Sequence, residues 1–140
     1  MIALIIINSL ILFSLGLIHF YWFFGGKIDM EKVVPTIEER ETGLRPPMLA
    51  TLLVAIGLIG FGLVMWANTG VFAAFVSDKV IYYTTWVIGI IFLLRAIGEF
   101  KYVGLFKKVK NSPFAEYDTK YYVPLCLVIG TLSVLIVNLA

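Results

Sequence analysis

Four stretches of the chain are apolar around the whole circumference of a helix, about residues 2–24, 48–67, 80–100 and 121–140, and polar residues collect between them. Each is close to the roughly 20 residues that carry an α-helix across a hydrocarbon core of about 30 Å. The pattern predicts an all-α protein, a four-transmembrane-helix bundle, built as a single membrane domain over residues 1–140. Little chain remains between the runs for a water-soluble domain.

Within each run the few polar and small residues fall at helical spacing. In the first, Asn8, Leu12, Leu15, His19 and Trp22 share a face, expected to point into the bundle. That run closes in Tyr21-Trp22-Phe23-Phe24 and Gly25-Gly26, an aromatic interfacial belt followed by a helix stop. The second places Thr51, Ala55, Leu58 and Gly62 on one side, and the fourth Cys126, Gly130 and Ser133; small residues let helix backbones approach inside a membrane. Between the first two runs, Thr36-Ile37-Glu38-Glu39 fits a capping box and Gly43 a helix stop. Ser77-Asp78 offers an N-cap to the third run, and Pro124 falls in the first turn of the fourth.

Composition agrees with the pattern: hydrophobic residues make up 61% and the mean hydropathy is +0.98. A chain of this size cannot bury so much apolar surface in itself, so lipid must cover the excess. The first run has no basic residue before it and no small-x-small cleavage site before Gly25, so it is expected to be retained rather than removed as a signal peptide. The net charge of +2 is too small to imply a nucleic-acid partner. Its distribution is more informative. Lys27, Lys32, Arg40 and Arg45 in the first loop and Lys101, Lys107, Lys108, Lys110 and Lys120 in the third stand against Lys79 alone on the other side. The positive-inside rule then puts those two loops in the cytoplasm of a multi-pass cell-membrane protein, with both termini extracytoplasmic.

One segment breaks the apolar rule. In Phe92-Leu93-Leu94-Arg95-Ala96-Ile97-Gly98-Glu99, a run read as helical to residue 100 places Arg95 and Glu99 one turn apart on one side. Ionisable residues inside a span are expensive and usually face protein or trapped water. With this topology His19 lies at a similar depth to Arg95, each about 7 Å below its helix end, and Asp118 at the mouth of the fourth run can join them. His19, Trp22, Arg95, Glu99 and Asp118 are therefore the candidate ligand-binding residues. An arginine near a helix end can also snorkel to the headgroups, and an i, i+4 pair can merely neutralise itself.

Other chemistries are poorly served. Cys126 is the only cysteine, which excludes a dithiol mechanism; with His19 the only histidine, haem would require a dimer or a Met partner; zinc lacks ligands, and no catalytic triad or phosphate-binding glycine loop is visible. The sequence names no cofactor and no metal.

His19-Phe20-Tyr21-Trp22 with Gly25-Gly26, the block from Phe92 through Arg95, Glu99 and Tyr102 to Gly104, and Phe114-Ala115, Asp118-Thr119 and Pro124-Leu125-Cys126 together resemble the bacterial four-helix membrane proteins filed as domain of unknown function 3995. The resemblance covers nearly the whole chain. It implies the four-helix architecture and brings no activity.

The residues thus predict a cytoplasm-facing polar pocket for a lipid headgroup or small amphipathic anion, with Arg95 pairing the anion, Glu99 orienting Arg95 and His19 hydrogen bonding. A membrane enzyme using His19 as acid or base on a lipid-soluble substrate is the alternative. A structural or accessory subunit is the third reading. The lipid bilayer is the expected partner, and a homo-oligomer is left open.

Overall fold

The computed structural model describes residues 1–28, 32 and 48–140, which are all-helical with no strand. Its four long helices are α1 (Ile2–Phe23), α2 (Met48–Ala67), α3 (Asp78–Ile97) and α4 (Pro113–Leu139), each long and apolar enough to cross a membrane. The capping box at Thr36-Ile37-Glu38-Glu39 and the stop at Gly43 lie outside the described residues.

Each helix buries one narrow stripe. In α1 it is Ile5, Asn8, Ser9, Leu12 and Gly16; in α2 it is Thr51, Ala55, Leu58, Gly62 and Met65. The outward faces carry exposed Leu10, Leu17, Leu53, Leu63 and Leu94. A helix apolar all round, with its small and polar residues turned inward, is ordered as a membrane bundle requires, because lipid solvates the leucines and cannot solvate hydroxyls or amides. α1 packs along α2 and α3 along α4, and the two pairs meet where α1 touches α4 and α2 touches α3.

Glycine sets the closeness of both pairs. A Cβ on Gly62 would fall 2.5 Å from Cε1 of Phe13 on α1, and one on Gly130 would fall 2.7 Å from Leu93 on α3. Gly62→Leu is expected to lower the thermal unfolding temperature in detergent sharply, whereas Leu63→Ala, on the exposed face, should change it little. Equal losses would remove Gly62 from the α1–α2 contact.

Polar side chains tie the pairs together away from the basic end. Asn8 Nδ2 donates to Ser133 Oγ at 3.0 Å and reaches the Met65 sulfur at 3.4 Å, joining α1, α4 and α2. Asn68 Nδ2 donates to Thr85 Oγ1 at 3.0 Å, closing the turn from α2 to α3. Ser77 takes the expected N-cap position of α3, although its side chain makes no capping hydrogen bond.

Two boundaries depart from the sequence reading, and both shape the site. The third helix ends at Ile97, because Gly98 adopts φ 81° and turns the chain out of the helix. The fourth begins at Pro113 instead of about 121, since Ser112 Oγ accepts the Ala115 N–H at 3.1 Å and Pro113 takes the first turn.

Candidate functional site

The site is built where α3 ends and α4 begins. Past Gly98 the chain forms a loop whose crossing point is a pair of glycines. Gly104, at φ 94°, lies so close that an added Cβ would overlap the Ile97 carbonyl oxygen, and one on Gly98 would overlap that of Val103. The crossing aims the Leu105 N–H at the Ala96 carbonyl, 2.8 Å away, which satisfies an orphan acceptor of the α3 terminus.

On the other side, α4 widens over Asp118–Tyr122 into one π-helical turn, in which the Val123 N–H bonds the Asp118 carbonyl. Such turns change the register of a helix and recur at functional sites. This one holds Asp118 fully buried against the loop. Its Oδ1 accepts from Arg95 Nη2 at 2.9 Å, and its Oδ2 accepts from the Gly104 N–H at 2.8 Å and from Lys107 Nζ at 3.2 Å. Lys107, 4% exposed, spends its remaining donors on the Gly104 carbonyl at 3.1 Å and Thr119 Oγ1 at 2.5 Å. One carboxylate thus faces two cations. Lys107 is fully bonded, whereas Arg95 Nη1 is buried with no hydrogen-bond partner among the described residues.

The sequence reading is corrected at Glu99. Because α3 stops before it, Glu99 does not sit one helical turn from Arg95. Its Oε1 accepts the Tyr102 N–H at 2.7 Å, a bond that shapes the loop. Asp118, 23 residues beyond Arg95, orients the guanidinium instead.

His19 and Trp22 form a separate group. The Leu15 carbonyl lies 2.8 Å from His19 Nδ1 and can only accept, so Nδ1 carries the proton and Nε2 is the ring's remaining hydrogen-bonding position. The His19 and Trp22 rings meet edge to face at 5.1 Å, and Trp22 Nε1 donates to the Ile28 carbonyl at 3.0 Å. α1 packs chiefly along α2 and to a lesser extent on α4. Among the described residues, no hydrogen bond or ion pair joins His19 to Arg95, Glu99 or Asp118. The structure therefore brings Arg95 and Asp118 together, adds Lys107, and leaves His19 with Trp22.

Lys107, Gly98 and Gly104 were absent from the sequence-based site. For the glycines a signal existed: glycine after an apolar helical run is a stop, and reading Gly98 so would have moved Glu99 out of the helix. For Lys107 none did, since a lysine between Phe106 and Lys108 reads as solvated.

A model of the family described as Protein of unknown function (DUF3995) matches residues 12–133. The chain belongs to the DUF3995 family. The DUF3995 match runs from the middle of α1 into α4 and takes in every residue of the Arg95–Asp118–Lys107 cluster as well as His19 and Trp22. Neither the curated proteins nor the solved structures compared with the chain give a match.

Proposed function

We propose that this membrane protein binds an anionic group, a lipid headgroup or small amphipathic anion, at Arg95, with Asp118 in place of Glu99 as the residue that sets the guanidinium. The observation that carries the reading is the buried, unbonded Nη1 of Arg95 in a cluster of two cations and one carboxylate. The Arg95 side chain is 34% exposed, so the guanidinium can be reached, and a fork already held on one arm by Asp118 meets an anion with little further ordering. The excess of lysine and arginine in the first and third loops supports a cytoplasm-facing site under the positive-inside rule, on the side where anionic headgroups collect.

Native mass spectrometry of the purified protein with phosphatidylglycerol, phosphatidylcholine and dodecyl phosphate tests this. Wild type should retain phosphatidylglycerol or dodecyl phosphate over phosphatidylcholine, and Arg95→Lys should weaken that retention about tenfold, the equivalent of one charge-assisted hydrogen bond. Equal retention by wild type and a folded Arg95→Lys would favour the structural-subunit reading, in which the cluster only pins the loop.

A further inference from the structure

The outer side of the loop from 98 to 111 carries a second feature, which does not involve Arg95. Phe100, Leu105 and Phe106 are 56%, 51% and 62% exposed there, and the Phe100 and Phe106 rings lie 6.2 Å apart. They are not displayed by slack. The backbone between them is fastened at the Gly98–Gly104 crossing, at Ala96 and at Asp118. Phe100 itself holds φ 69°, a region that non-glycine residues occupy only when their surroundings require it.

Beside the two rings opens a cleft of about 500 Å³ lined by Glu99, Phe100, Lys101, Lys108, Lys110 and Asn111. Its two walls are held together by the Lys108 and Val109 N–H groups, both bonded to the Lys101 carbonyl at 2.9 Å. The lining holds three lysines and one glutamate; the glutamate is already bonded to the Tyr102 N–H, and Lys101 Nζ lies over the Tyr102 ring, 5.0 Å from its centre. The loop joins the ends of two membrane-crossing helices, so it lies at the level of the headgroups. Rigidly displayed aromatic rings next to lysines, at that depth, match a surface whose apolar part is acyl chain and whose charge is phosphate.

We propose that this cleft seats an anionic glycerophospholipid, with the phosphodiester against Lys101, Lys108 and Lys110 and the first acyl carbons on Phe100 and Phe106. Charge complementarity selects the occupant: a neutral protein groove or a second copy of this basic loop offers no phosphate, and a second copy adds like charge. Glu99 and Asn111 favour a headgroup that also offers a hydroxyl, such as phosphatidylglycerol. The site is distinct from Arg95, which does not line it.

The test uses the full chain in nanodiscs holding one copy each, with the exposed Leu105→Cys in a Cys126→Ser background labelled with a nitrobenzoxadiazole probe. In discs containing phosphatidylglycerol the emission should be blue-shifted and quenched by spin-labelled acyl chains. In pure phosphatidylcholine discs the quenching should fall about threefold or more. Lys108→Gln with Lys110→Gln should abolish the dependence on phosphatidylglycerol, while Arg95→Lys keeps it, which separates this site from the one at Arg95. Water-like emission in both lipids would overturn the proposal, as would a lysine double variant indistinguishable from its parent. A shift seen only in discs holding two copies would assign the face to self-association, and one produced by inorganic phosphate in phosphatidylcholine discs would assign it to a free anion; either result overturns the lipid seat.

Discussion

Asp118→Asn is expected to destabilise the protein by about 3–5 kcal/mol, the range for removing one partner of a buried ion pair. The carboxylate is fully buried and is the only acid among the described residues bonded to Arg95 or Lys107. The amide is nearly isosteric, so packing is preserved. What changes is charge: two cations are left facing each other near the membrane boundary, and one of the two oxygens becomes an N–H₂ that cannot accept. Glu116→Gln, at an exposed position two residues earlier on α4, should stay within about 0.5 kcal/mol of wild type. Thermal or denaturant unfolding in detergent, followed by tryptophan fluorescence, compares the two. Lys107→Met should restore part of the loss when combined with Asp118→Asn, because it removes one stranded charge. If Asp118→Asn unfolds within about 1 kcal/mol of Glu116→Gln, the cluster does not hold the loop.

Gly104→Ala should lower stability by about 3 kcal/mol, roughly 1–2 from the left-handed backbone and the rest from overlap. Gly25→Ala is the matched control. Gly25 has φ 96° and Gly104 φ 94°, so both substitutions meet the same backbone penalty. A Cβ on Gly25 meets nothing within 4 Å, whereas one on Gly104 meets the Ile97 carbonyl oxygen. The difference between the two variants isolates the crossing of the loop over the end of α3. Gly104→Ala should also speed tryptic cleavage at Lys108 and Lys110, since the loop loses its fastening at Asp118. Matching stabilities and cleavage rates would show that the crossing contributes nothing.

The sequence by itself determined the four helices and the inward stripes of α2 and α4, because both follow from local spacing and from the energy of placing a polar backbone in lipid; in α1 it found Asn8 and Leu12, while Leu15, His19 and Trp22 are only half-buried. Thr51, Ala55, Leu58 and Gly62, read from periodicity alone, are buried as a set, and so are Cys126, Gly130 and Ser133. The family resemblance was also legible, being carried by the residues themselves. The partner of Arg95 was not. Periodicity assumes an unbroken helix, and under that assumption the nearest carboxylate is Glu99; a positive φ at Gly98 ends the helix and removes it. Asp118 becomes the partner through a π-helical turn, a glycine crossing and the burial of Lys107, three features whose residues lie far apart along the chain. Likewise, equal depth suggested that His19 meets Arg95, and no hydrogen bond joins them among the described residues; depth fixes only one coordinate in a bundle. Which helices lie side by side is decided by where small residues allow close approach, and Gly62 and Gly130 send α1 to α2 and α3 to α4.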